Sequence, residues 1–151
     1  MAALLSLTTA CAPGPPDPGA SPSAGAEVSP SPASVVVHRT GGIAGVDDQI
    51  TVDPTGAWTA TDRARTRKSG ELTNSEREQL QTLAADPRLD AEAARPTAPT
   101  KCADAFQYSV TVDRTGGDGT VIVTFTDCPG DENLPEAAAA IANLVTGAVD
   151  S

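Results

Sequence analysis

Three cysteines and one histidine have the widest chemical reach in this 151-residue chain. Cys102 and Cys128 bracket two Val/Thr-rich runs, with Arg114, Thr115, Gly116, Gly117, Asp118 and Gly119 between them. If the runs fold back as a hairpin, the two thiols come nearly opposite each other. A disulfide would then form in an oxidising compartment; two free buried thiols are the alternative. His38 stands alone, whereas zinc sites and catalytic triads need histidine with partners at set spacing. Its expected role is structural. No serine sits in a nucleophile elbow. The carboxylate pairs Asp47-Asp48 and Asp131-Glu132 fall in turns without the calcium-loop pattern. Gly41, Gly42 and Gly45 allow backbone with positive φ, but no Gly-Lys-Ser/Thr and no helix follows, so they do not make a phosphate loop. No catalytic residue, metal-ligand set or cofactor site emerges, and the expectation is a protein that is not an enzyme.

Cys11 is separate from the other two. It ends an apolar, small-residue run at 1–11, MAALLSLTTAC. Such a run resembles a bacterial lipoprotein signal, which implies a lipid on the Cys11 sulfur and a mature chain beginning there. No positive residue precedes the run, so the translated start is expected upstream of Met1. Residues 12–33 are Pro, Ser, Ala and Gly with little else. That composition buries no core and stays extended, with a polyproline-like reach of about 60–70 Å. Lipid, tether and a single domain at 34–151 form a series. They place the domain at the outer face of the cell membrane, exported and held by the lipid.

These chemical groups must be positioned by a small fold. Residues 34–39 include three consecutive valines and read as a central strand buried on both faces. The glycine stretch follows. Residues 49–52 and 57–61 flank the turn formers Asp53, Pro54 and Gly56. Pairing Val52 with Trp58 and Ile50 with Ala60 puts four apolar side chains on one face. Arg63, Arg65, Arg67 and Lys68 form the one basic cluster, either a solvated strand end and loop or a docking patch for an acidic surface. Thr73 and Glu76 make a capping box for a helix carrying Leu80 and Leu83, which stops at Asp86-Pro87. Residues 88–101 read as a long excursion with Leu89 reaching back to the core. The Cys102–Cys128 hairpin alternates apolar and polar residues with the strand period of two. A last helix starts with Asn133 as N-cap and Pro135 in its first turn. Leu134, Ala138, Ile141, Leu144 and Val145 line its apolar stripe. The order β-β-β-α-β-β-α defines an α+β fold, an antiparallel sheet of about five strands with two helices packed on one face.

Net charge is −10, and no basic residue precedes Arg39. An acidic domain repels phosphate backbones, so nucleic acid is not an expected partner. A monomer is expected.

Two stretches and the last helix together resemble the emfourin family, protein inhibitors of protealysin and other thermolysin-like metallopeptidases. Val35 to Val37, His38, Arg39, Thr40, Gly41, Gly42, Ile43, Ala44 and Gly45 are similar to the opening strand and Arg-x-Gly-Gly-hydrophobic-Ala-Gly loop. Asp104, Phe106 and Tyr108 are similar to the Asp-x-Phe-x-Tyr strand. Leu134, Ile141 and Leu144 match the closing helix. The resemblance covers about 34–147. It implies a small α+β protein that blocks a zinc protease cleft, an extracellular metalloprotease in this case. Arg39, Gly41, Gly42, Ile43 and Gly45 are the residues implied to meet that partner. Without a protease target, the domain would be a binding or structural module of the cell envelope.

Overall fold

The computed structural model describes residues 32–97, 102–115 and 119–151. The lipid-signal reading of 1–11, nearly all of the 12–33 tether and the Gly116 to Asp118 turn lie outside those residues. Six strands and three helices follow in order: β1 Ala33–Gly41, β2 Val46–Val52, β3 Ala57–Thr61, β4 Arg67–Glu71, α1 Asn74–Ala84, α2 Arg88–Ala93, β5 Phe106–Arg114, β6 Gly119–Asp127 and α3 Glu136–Val149.

All strand pairs are antiparallel, in the spatial order β4-β3-β2-β1-β5-β6. β1 is central, as its valines suggest. Val35 and Val37 are buried to 0 % exposure on the face the helices cover, but Val36 is only half-buried. The helices lie on one side of the sheet, so the other face stays open and the expected two-sided burial of β1 is corrected. The β2–β3 register is the expected one, Val52 opposite Trp58 and Ile50 opposite Ala60. Alternation along β5 and β6 buries Tyr108, Val110, Val112, Val121, Val123 and Phe125 under the helices.

The strand count rises to six because Arg67–Glu71 pairs with β3. A sheet edge needs hydrogen bonds on one side only and tolerates charge, so this basic, polar stretch forms a strand without an apolar face. The helix count rises to three because part of the 88–101 stretch is ordered as α2. Leu89 is fully buried there, as expected. Glu92 is buried beside it and accepts hydrogen bonds from the N–H groups of Ala137 and Ala138 at 2.9 and 3.0 Å.

That contact also corrects the start of α3. Its N-cap is Pro135, not Asn133. Asn133 instead turns back on Asp131, its backbone N–H donating to Oδ1 at 2.9 Å. Pro135 has no side-chain acceptor, so Glu92 satisfies the orphan N–H groups of the first turn from another helix. Ala137, Ala138 and Ala142 are buried along α3, which brings its axis close to the sheet. α1 has the expected capping box: Thr73 N and Oγ1 donate to Glu76 Oε2 at 2.8 and 2.7 Å, and Glu76 N donates to Thr73 Oγ1. Among the described residues no helix is long and apolar enough to cross a membrane.

Candidate functional site

One end of the sheet gathers the residues that the sequence singles out. β1 carries Arg39 and Gly41 to that end, and the chain reverses through Gly42, Ile43, Ala44 and Gly45 into β2. The Gly45 N–H donates to the Gly42 carbonyl at 3.1 Å, closing the turn. The φ angles of Gly41, Gly42 and Gly45 are 94°, 68° and 61°, in the left-handed region that side chains rarely adopt. At Gly42 space is a second constraint. A Cβ there would sit 2.5 Å from Cε1 of the Phe106 ring. The glycines therefore fix the path of the turn, and Ile43 is carried outward, 90 % exposed at the tip.

The turn rests on a supported base. The Gly42 N–H reaches the Ala105 carbonyl at 3.4 Å, just before β5. Phe106 meets Tyr108 edge-on with ring centroids 6.5 Å apart, and Tyr108 stacks on Phe125 at 5.2 Å. Arg39 lies over Phe106, its guanidinium carbon 5.3 Å from the ring centroid, a cation–π arrangement. Its Nη2 donates to Asp48 Oδ2 at 2.7 Å. Burial alone would lower the Arg39 pKa, but the hydrogen bond and charge of Asp48, with a smaller part from Tyr108, hold it above the ordinary arginine value. Its Nε is buried without a partner among the described residues. Arg39 thus binds β1, β2 and the Phe106 ring together. It stands under the turn and not at its tip.

Two more contacts complete this end. Arg63 Nη1, from the turn between β3 and β4, donates to the Gly45 carbonyl at 3.1 Å. Cys102 and Cys128 form a disulfide with their Cα atoms 5.9 Å apart. It closes the hairpin next to the Phe106–Asp127 register pair, so Ala105 and the start of β5 are fastened behind the turn. On the open face, His38 Nε2 and Asp47 Oδ1 are 2.7 Å apart and both side chains are exposed. The structure therefore brings Arg39, Gly41, Gly42, Ile43, Gly45, Phe106 and the cysteine pair to one end of the sheet. Cys11 lies outside the described residues.

Asp48 and Arg63 escaped the sequence reading as supports. The Asp48 signal was present in the antiparallel pairing of β1 with β2, which puts Arg39 opposite Asp48. The Arg63 contact depends on where two turns meet in space, and no local pattern encodes that.

Among the described residues no group of three His, Cys, Asp or Glu converges as a metal site. A cavity of about 370 Å³ lies between α2 and β6, against Glu92, Pro96 and Phe125. Neither Ile43 nor the turn glycines line it. What the turn offers is a bulky apolar side chain on a braced backbone, aimed away from the molecule.

The braced turn stands at one end of a six-stranded antiparallel sheet in a small α+β domain. The Emfourin family profile matches residues 37–146, a span that includes the turn, its base and most of α3. The chain belongs to the emfourin family, whose domain is of the inhibitor type. Comparison with curated proteins finds no match to this chain.

Proposed function

We propose that this protein inhibits a thermolysin-like zinc metallopeptidase by placing the Ile43 turn in the enzyme's cleft. The observation that carries the reading is Ile43 itself, 90 % exposed at the tip of a turn whose path three positive-φ glycines determine. Exposing a large apolar side chain on a rigid turn contributes nothing to the fold. At an interface the same side chain fills a recess, and a pre-organised backbone lowers the entropy cost of docking. Membership of the emfourin family supports a peptidase as the owner of that recess. In this reading Ile43 makes the contact, Gly41, Gly42 and Gly45 shape the turn, and Arg39 holds its base.

The setting is part of the proposal. Lipid on Cys11 and the Pro-rich tether would hold a monomeric domain at the outer face of the cell membrane, where a disulfide persists. The target would be a secreted or surface metallopeptidase. The test is inhibition of a panel of secreted zinc metallopeptidases by the full chain at micromolar concentration. Slowed hydrolysis by at least one thermolysin-like member is expected, and full activity of every member would refute the reading. Mass spectrometry of the chain from its native host tests the anchor, since an uncleaved N-terminus with unmodified Cys11 would remove it.

A further inference from the structure

The peptidase reading uses the glycine turn but leaves the basic cluster beside it unexplained. Four of the chain's ten basic residues, Arg63, Arg65, Arg67 and Lys68, fall within six positions of a protein with net charge −10. All four are exposed. None enters an ion pair among the described residues, whereas Arg39, Arg88 and Arg114 each pair with a carboxylate. The nearest acid, Asp62, is used within its own turn. Its Oδ1 accepts from the Thr66 N–H at 2.8 Å, and its carbonyl accepts from the Arg65 N–H at 2.8 Å.

Two features point to a built surface. Arg65 has φ 64°, the one positive φ outside glycine among the described residues. Arginine at such a position is unfavourable, and its backbone gives the fold no reason to prefer it to glycine or asparagine. Arg63 meanwhile spans to the Gly45 carbonyl, so the β3–β4 turn and the Ile43 turn form one continuous edge. Edge protection accounts for charge on β4, where Arg67 and Lys68 lie. It does not account for Arg63 and Arg65, which precede that strand. The two strand residues also separate. Lys68 pairs with Ala60 and so faces the helix side, where it lines a recess with Asp48 and Asp150, while Arg67 pairs with Thr61 on the open side.

We propose that Arg63, Arg65 and Arg67 form a cationic shoulder next to Ile43, and that the partner presents an acidic rim beside its apolar recess. The inference rests on the inhibitor reading and adds the chemistry of the partner's rim. Rim charges act mainly on association, through steering that salt screens, while a buried apolar anchor acts on dissociation. The division of labour is Ile43 for residence and the shoulder for capture.

The test measures association and dissociation of the full chain with a peptidase that it inhibits, between low and moderate salt. For wild type, the association rate should fall by about ten-fold or more across that range. Arg65→Glu/Arg67→Glu should associate about ten-fold more slowly at low salt, show little salt dependence, and dissociate within about two-fold of wild type. The neutral variant Arg65→Gln/Arg67→Gln should fall between the two, which guards against a folding effect of reversed charge. Equal association rates for wild type and the Glu variant would overturn the shoulder while leaving inhibition intact; a wild-type chain that binds no peptidase would sink both readings. Anionic phosphatidylglycerol vesicles separate the other source of negative charge. Variant-sensitive vesicle binding with unchanged peptidase association would assign the cluster to the membrane and overturn the proposal.

Discussion

At the scale of single residues, Gly42 carries two constraints at once. Its φ of 68° disfavours any side chain, and the Phe106 ring occupies the space a Cβ would need. Gly42→Ala should therefore cost about 1–3 kcal/mol, read as a lower midpoint in urea unfolding with an unchanged slope. A midpoint equal to wild type would show that the ring moves aside freely. Carboxylates held by local hydrogen bonds give a pH dependence of known sign. The Thr55 hydroxyl at 2.6 Å, with the Thr55 and Ala57 N–H groups, pulls the Asp53 pKa below its ordinary value. Thr73 does the same for Glu76, and Arg88 for Asp86. A pKa lowered in the folded state means that the unfolded chain takes up protons first. The stabilisation is present above the ordinary carboxylate range and is lost as pH falls through the lower folded values. Melting temperature should thus hold steady from about pH 7 to pH 5 and decline below about pH 4. Asp53→Asn should decline less steeply, and an identical acid limb for that variant would contradict the assignment.

At the scale of elements, α2 and α3 depend on each other through Glu92. A buried carboxylate that accepts two N–H bonds at a helix N-terminus is a strong cap. Glu92→Ala should cost about 2–4 kcal/mol, because both N–H groups lose their acceptor in a buried place. Glu92→Gln, with one acceptor oxygen, should cost less. Chemical denaturation of the two variants gives the order, and a Gln variant less stable than the Ala variant would reverse it. The Glu92 contact also marks the limit of what was legible in the sequence. The β2–β3 register, the Thr73–Glu76 capping box and the Cys102–Cys128 hairpin were readable because each is local in sequence or follows a period of two. β4 was not, since an edge strand needs no apolar alternation and its Arg67 and Lys68 read as loop. α2 is not legible because it is short and its informative residue Glu92 takes its meaning from α3, more than 40 positions onward. Asn133 follows the same logic: its side chain suits an N-cap, but Asp131 claims it.

For the whole molecule, the core and the candidate binding surface lie apart. The core lies between the helices and one face of the sheet, built from valines, Leu80, Leu89, Ile141 and the alanines of α3. The candidate binding surface lies at one end, and its supports run inward through Arg39, Phe106 and the disulfide to that core. The glycine motif was legible in the sequence as a tight turn with positive φ. Its exposure, and the meeting of that turn with Arg63, follow only from the assembled sheet. Replacing both bridged cysteines, Cys102→Ser/Cys128→Ser, should lower stability by about 2–4 kcal/mol, since the bridge restrains the loop between residues 26 positions apart. A thermal melt matching the oxidised wild type would show that the bridge adds nothing.

The division between core and tip is tested most directly by comparing wild type with Ile43→Ser against a thermolysin-like metallopeptidase. Ile43 is 90 % exposed, so the variant should melt within about 0.5 kcal/mol of wild type. Its inhibition constant should nevertheless rise on the order of thirty-fold or more, as expected when an interface anchor is removed. Unchanged inhibition by a fully folded Ile43→Ser variant would contradict the claim that the glycine turn is the surface that meets the enzyme.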